Sequence, residues 1–307
     1  LKEVKTIMHT IRNDFGKNWM LYVMILPVLA YYVLFHYGPM YGAIIAFKDY
    51  SPSTGIWASD WIGFANFRDF FDGYYFERIF KNTILISVYT LVFEFPAPIL
   101  LALLINELRN RTFRRIVQSV SYMPYFISLV VICGMIKDFT NTNGIIHQFF
   151  GLFGYEGGAM LQNAAFFRPI YVFSEIWQRI GWESIIYIAA LAGIEQEQYE
   201  AADIDGAGRL KRIWYITLPG IVPTIMVLLI LRIGNMLNVG FEKIILLYNP
   251  AIYETSDIIS TYVYRKGIIE MSWSFGAAVG LFNSVLSLLL LVLANYLSRR
   301  LSRNSLW

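Results

Sequence analysis

The sequence predicts an all-α membrane protein with six transmembrane helices, and three observations carry that expectation. Of its 307 residues, 57% are hydrophobic and only 15% are charged. The apolar residues fall in six blocks of about 20, the length that crosses a hydrocarbon core. Lys and Arg crowd into the short segments on one side of those blocks, as the positive-inside rule describes. A soluble fold of this length, with one or two domains, could not bury so many consecutive apolar residues; a bilayer can.

Residues 1–18, "LKEVKTIMHTIRNDFGKN", place Leu1, Val4, Met8, Ile11 and Phe15 on one helical stripe. They are expected to form a short cytoplasmic amphipathic helix on the inner membrane surface, a frayed tail being the alternative. The periodic spacing of their apolar residues differs from the continuous run of a secretory signal. The spans then follow at about 19–38, 82–106, 116–136, 169–192, 220–241 and 275–297. The fourth is the weakest, because Glu175, Arg179 and Glu183 interrupt it. A six-helix domain thus covers 19–300, and 301–307 form a cytoplasmic tail.

Basic residues set the orientation. Lys2, Lys5, Arg12 and Lys17 precede the first span, and Arg109, Arg111, Arg114 and Arg115 follow the second. Arg209, Lys211 and Arg212 precede the fifth, and Arg299, Arg300 and Arg303 follow the sixth. These are fourteen of the 25 Lys and Arg; the three opposite loops are longer yet hold nine. Both termini and the 193–219 loop are therefore expected in the cytoplasm.

Several kinds of chemistry are missing. The net charge of +3 is spread along the cytoplasmic edges and suggests no nucleic-acid partner. The single cysteine, Cys133, rules out a disulfide framework and reads as a packing residue. His9, His36 and His147 lie far apart with no metal-ligand spacing. No phosphate-binding loop, nucleophile elbow or H-E-x-x-H motif occurs. The chain is thus expected to move something rather than transform it, with no catalytic residue, metal or cofactor of its own.

The polar elbow "EAADIDGAGRLKRIWYITLP" (200–219) interrupts this apolar chain. "EQEQYEAADID" (195–205) is composed of good helix formers with acidic residues early, which suits the helix dipole. Gly206 and Gly208 can take backbone angles closed to other residues, so a turn is expected there. "RLKRIWYITLP" resumes a helix, and Pro219 stands near the entrance to the fifth span. The plain alternative is an amphipathic loop whose charges are merely solvated.

The joint spacing of Glu-Ala-Ala, Gly206 and Ile216-x-Leu218-Pro219 resembles the EAA loop of permease subunits from bacterial ATP-binding-cassette importers of the binding-protein-dependent type. "PMYGAIIAFKDY" (39–50) and "SYMPYFIS" (121–128) extend the resemblance to the sugar branch related to maltose permeases, in particular its complex-oligosaccharide subset. The resemblance implies that the 195–219 loop forms a coupling helix seated on a separate cytoplasmic ATPase. There Glu200 would meet a basic residue, Ala201 and Ala202 would allow close approach, and Gly206 would make the bend. Asp203, Leu218 and Pro219 complete the implied coupling set. Also implied are an ATPase dimer holding ATP and Mg, a second and paralogous permease, and an extracytoplasmic solute-binding protein. The setting would be the lipid of a bacterial inner membrane.

Charges within spans are functional candidates because they are costly there. Glu175, Arg179 and Glu183 are four residues apart, with Tyr187 continuing the face: either a polar path wall or a self-neutralised ladder. In the fifth span Arg232, Asn235 and Asn238 recur every three residues, with Glu242 one turn on. These could bind sugar hydroxyls, and Arg232 could clamp a carboxylate, which would favour an acidic alginate- or pectin-derived oligosaccharide. The alternative is a structural pair between Arg232 and Glu94 or Glu183, leaving neutral oligosaccharides equally eligible. Aromatic residues make up 17% of the chain, and Tyr187, Trp182 or Trp177 could stack on sugar rings. "GAAVG" (276–280) permits close helix approach, more within one subunit than at a dimer seam. The outer loops at 48–81, 137–168 and 242–274, with Trp57, Trp61 and Trp273, offer docking surfaces for the binding protein.

Two other classes compete. A gradient-driven secondary transporter would show inverted repeats, and none is evident. A membrane enzyme would need a catalytic constellation, and none is found.

Overall fold

The structure, a computed structural model, describes residues 2–238 and 240–302, with side chains described for Asp14 and from Gly16 to Arg300 apart from residue 239. No β-ladder longer than the isolated Lys48–Trp61 bridge occurs among these residues. Helix α1 (Lys2–Tyr32) breaks its regular backbone at Asn18, where φ is −115° and ψ is 19°. The amphipathic stripe expected before that break involves side chains outside the described set, as does most of the 301–307 tail.

Four helical runs are long and apolar enough to cross a membrane: Gly16–Phe47, Phe76–Asn106, Arg209–Gly234 and Trp273–Arg300. The second comprises α2 (Phe76–Tyr89) and α3 (Pro96–Asn106). The expected third span, 116–136, is not one helix. Helix α4 (Arg111–Tyr122) ends in a 3-10 turn at Met123–Phe126, and Ile127 and Ser128 are extended before α5 (Leu129–Thr140). The two halves, Arg111–Phe126 and Leu129–Gly151, meet at 97°. Pro124 accounts for the turn, since it cannot donate to the preceding helical carbonyl. The fourth region forms α6 (Ala164–Ala192), a single helix of 29 residues. It is long enough to span, but Arg168, Glu175, Arg179 and Glu183 set it apart from the apolar runs. Where six spans are expected, the described residues give four apolar runs, one bent pair and one charged helix.

Prolines shape the spans through a recurring device. π-turns at Val33–Tyr37, Thr90–Glu94 and Ile213–Thr217 each end two residues before a proline, namely Pro39, Pro96 and Pro219. A proline lacks the N–H for its i−4 carbonyl, and its ring crowds that carbonyl. The wider π-turn relieves both, so the helices run on instead of breaking. Pro219 is therefore inside a continuous helix, Arg209–Gly234, and not at a fresh start.

Helix α6 is central. Its Phe167, Tyr171 and Val172 are buried with Ile86, Ile244, Leu247 and Ile258. Lower down, Tyr187 and Leu191 are buried with Ile99, Ala102 and Ile221. Of the two glycines of "GAAVG", Gly276 acts within the chain: a Cβ on it would lie 2.8 Å from the Gly267 Cα. By contrast, the most apolar stretch of Gly16–Phe47 is 0% buried among the described residues, and only the end of the run, at Ala46, is covered.

Candidate functional site

The 195–219 elbow is built as two helices with a glycine turn. Helix α7 (Gln196–Ile204) ends where the Gly206 N–H bonds the Asp203 carbonyl and the Ala207 N–H bonds the Ala202 carbonyl, at 3.1 and 2.9 Å. Gly206 has φ +70°. A Cβ there would meet nothing within 4 Å, so the backbone angle and not the space calls for glycine. The chain then enters α8 (Arg209–Arg212), the π-turn and α9 (Leu218–Gly234).

Glu200 and Ala201 are exposed on α7, and Ala202 is half-buried. Ile204 and Leu210 flank the turn at 88% and 82% exposure, an apolar tip that is costly to leave in water. Asp203 is exposed and forms an ion pair with the half-buried Arg212. The Tyr199 hydroxyl lies 3.1 Å from the Thr217 hydroxyl. Two polar contacts therefore tie α7 to the base of the fifth span. Leu218 is half-buried and Pro219 exposed beside them.

The second polar constellation lies midway along the helices. A cavity of about 140 Å³ is lined by Ser87, Thr90, Glu94, Glu175, Arg179 and Arg232, with Tyr171, Asn235 and Asn238 also on its wall. Arg232 pairs with Glu94 at 2.6 Å. Glu175 receives Arg179 and Lys243, each at 2.9 Å. Arg179 also reaches Glu183 at 3.8 Å. Every formal charge here has an opposite partner, as low-dielectric surroundings demand. One group stays open: Oε1 of Glu94 is buried without a hydrogen-bond partner.

The structure thus gathers Arg232, Asn235, Asn238, Glu175 and Arg179 around one cavity. Of the two expectations for Arg232, the structural pair with Glu94 is the one observed. Asn235 and Asn238 are not on a helical face, because α9 stops at Gly234 and they occupy the turn after it. The Asn235 amide bonds its own helix at the Leu231 carbonyl, and Asn238 accepts from the Asn283 amide at 2.9 Å. Glu242 is exposed, away from this stripe. Glu183 touches the cavity only through Arg179, and Tyr187 is 3% exposed within the apolar core. Trp177 lines a separate apolar groove, and Trp182 stacks on Tyr125 at 4.6 Å.

Sequence reasoning missed Lys243, which it assigned to an outer loop. The lysine is 1% exposed and is held by Glu175 and by Gln178 Oε1 at 3.3 Å. Its signal was its place at the head of the apolar run "KIILL", between Gly240 and Pro250. Of the expected docking surfaces, Trp57 and Trp61 are 80% and 62% exposed. They stand on an ordered loop in which buried Lys48 donates to the Ile56 and Ser59 carbonyls.

Comparison with known proteins agrees along the whole chain. A family model described as "binding-protein-dependent transport system inner membrane component" matches residues 94–303. The chain is 44% identical over 301 residues to Protein LplB of Bacillus subtilis (strain 168), covering 95% of each protein. It is 42% identical over 288 residues to the polygalacturonan/rhamnogalacturonan transport system permease protein YteP of the same organism, covering 94% of this chain and 90% of that one. In structure it matches, with a TM-score of 0.88 and 42% identity, a chain of a bacterial ABC transporter involved in the import of the acidic polysaccharide alginate, over 95% of this chain and 99% of that one. A second structure of a bacterial alginate ABC transporter, in complex with an alginate pentasaccharide-bound periplasmic protein, matches with the same score and identity. With a family match over more than half its length and relatives above 40% identical along nearly all of it, the chain belongs to the inner-membrane components of binding-protein-dependent transport systems, the permeases of such importers.

Proposed function

We propose that this chain is one of two permease subunits of an importer for acidic oligosaccharides of the alginate or pectin type, with both termini cytoplasmic. The observation that carries the substrate class is the 42% identity to an alginate importer chain and to a polygalacturonan/rhamnogalacturonan permease over almost the whole chain. Arg232 lines the central cavity while paired with Glu94. Neutral oligosaccharides are the second reading, favoured by the neutral balance of the central cavity.

In this reading the Glu200-Ala201-Ala202 face, with exposed Ile204 and Leu210, docks on a cytoplasmic ATPase that binds and hydrolyses ATP with Mg. Gly206 fixes the angle of the docked helix. The Asp203–Arg212 and Tyr199–Thr217 contacts make that helix move with the fifth span, so closure of two ATPases rocks the permease pair between inward- and outward-facing states. Two features support a second permease. The central cavity of about 140 Å³ is below the roughly 300–1,000 Å³ of ordinary ligand pockets, so one chain supplies only a wall. The first span, whose most apolar stretch is uncovered among the described residues, presents an apolar face to a neighbouring subunit and to lipid.

The test is uptake by the complete importer in proteoliposomes, supplied with its binding protein and either uronate or neutral oligosaccharides. Uptake of uronates with matching ATP consumption is expected. Uptake restricted to neutral sugars would overturn the substrate class, and uptake without ATP would overturn the coupling.

A further inference from the structure

Beyond the central cavity, two arginines converge on one carboxylate and a third joins them through an asparagine. Asp257, fully buried, accepts Arg265 Nη2 at 2.6 Å and the Thr261 hydroxyl at 2.8 Å. Arg78 reaches the same Asp257 oxygen only at 3.4 Å, so the carboxylate is satisfied before Arg78 arrives. Burial works against the Arg265 charge, but Asp257 outweighs it and holds the guanidinium above its ordinary pKa. Arg168 has no carboxylate partner among the described residues; it donates to the Asn82 amide oxygen at 2.7 Å. Asn82 in turn bonds the Asp257 and Glu254 carbonyls, which places all three arginines in one cluster. Glu254 enters only through its backbone, and its exposed side chain makes no ion pair. The cluster thus holds three guanidinium groups and one carboxylate, which two of the three contact.

Three donors in this cluster, Arg78 Nε, Arg168 Nε and Arg265 Nη1, are buried without an acceptor. A buried unmatched donor is costly, and these three can take an acceptor that the described residues do not supply. The Arg78 side chain remains 32% exposed, and its guanidinium lies 4.7 Å from the centre of the exposed Tyr75 ring. The helical register then connects the cluster to the cavity. Arg168, Tyr171, Glu175 and Arg179 follow one another at intervals of three or four residues on α6, as Arg78 and Asn82 do at the head of α2. Ser87, Thr90 and Glu94 continue from α2 into the cavity wall.

We propose that Arg78 and Arg168 form a carboxylate-binding subsite at the outer end of this polar track, taking the uronate groups of an acidic oligosaccharide as it enters. The inference rests on the acidic-oligosaccharide reading and on its orientation. It locates the cation excess at the entrance, where a guanidinium fork matches a carboxylate, while the membrane-buried part of the track stays neutral and lets the sugar pass on. An acidic patch of the binding protein is the competing acceptor. Partial burial of both arginines favours a small ligand group over a protein surface.

The test compares the complete importer carrying Arg78→Gln/Arg168→Gln with one carrying Arg78→Lys/Arg168→Lys, using uronate oligosaccharide and saturating binding protein. The Gln pair is expected to lower uptake by about tenfold or more, the effect of one lost charge-assisted hydrogen bond. Basal ATPase activity and its stimulation by the loaded binding protein should persist, and the Lys pair should recover most uptake. Equal loss in the Gln and Lys pairs would show a structural role and overturn the proposal. Loss of binding-protein stimulation would assign the arginines to docking and overturn it as well, as would unchanged uptake in the Gln pair. Failure of the unsubstituted importer to move uronates would instead refute the substrate class itself.

Discussion

Replacing Arg232 with Gln tests the pairing at the centre of the molecule. The Glu94 side chain is 2% exposed and that of Arg232 30%, and the second Glu94 oxygen already lacks a partner. Breaking a buried ion pair from one side costs about 3–5 kcal/mol, because the remaining charge is stranded. The exposure of Arg232 lets water reach the pair, so about 2–3 kcal/mol is expected here. Glu94→Gln should cost less, about 1 kcal/mol, since the freed arginine can turn to water. The double variant should be more stable than Arg232→Gln alone, with a coupling energy of about 1–2 kcal/mol. Thermal unfolding of the purified importer measures this: Arg232→Gln should lower Tm on the order of 5 °C, and adding Glu94→Gln should recover part of it. An Arg232→Gln importer with unchanged Tm that loses uronate uptake and keeps neutral uptake would refute the pairing and assign the guanidinium to substrate.

Further outcomes follow from the same contacts. Glu200→Lys or Gly206→Pro should abolish transport and substrate-stimulated ATPase activity while leaving membrane insertion intact; normal transport by both would remove the coupling assignment. Asp203→Asn should loosen α7 from the fifth span, lowering uptake per ATP hydrolysed, with the Tyr199–Thr217 contact limiting the loss. Lys243→Met leaves Glu175 with Arg179 alone, and a buried pair opened from one side should cost about 2–3 kcal/mol, read as a lower Tm. Gly276→Val places a side chain on the Gly267 backbone and should abolish recovery of folded protein, whereas Gly280→Ala, with nothing within 4 Å of its added Cβ, should not.

The two-helix elbow at 195–219 was legible in the sequence because its requirements are local. A run of helix formers, a glycine at positive φ and a resumed helix need no knowledge of distant residues. The apolar blocks before Asn106, after Arg209 and after Trp273 were legible for the same reason. Hydropathy failed where turn chemistry competes with it. "SYMPYFIS" is apolar enough to belong to a span, yet Pro124 and the extended Ile127–Ser128 pair turn the chain through 97°. "GNMLNVG" reads as the end of a span, but its glycines and asparagines stop α9 at Gly234 and carry Asn235 and Asn238 into a turn. Long-range pairing was the least legible. Nothing near Lys243 in sequence shows that Glu175, 68 positions earlier, neutralises it, and Tyr187 shares the charged face of α6 by periodicity while packing into the core.

The placement of the π-turns bears on how the two polar regions communicate. Thr217, the anchor of Tyr199, closes one π-turn, and Glu94, the partner of Arg232, closes another. Between Thr217 and Arg232 runs α9, fifteen residues or about 22 Å of helix at 1.5 Å per residue. A single helix therefore joins the contact that holds α7 to the ion pair on the cavity wall. The N-terminal end of that helix meets backbone already wider than an α-helix, and near its other end Arg232 contacts a second such turn through the Glu94 side chain. A continuous helix between two such joints transmits a push at its base to Glu94 with little loss along its length. The neutral charge balance of the cavity fits the same arrangement: pairs that move together need not be separated in low dielectric, where separation is most expensive. The prolines that create these joints, Pro96 and Pro219, thus have a mechanical reason to lie within spans that propensity alone would keep free of them.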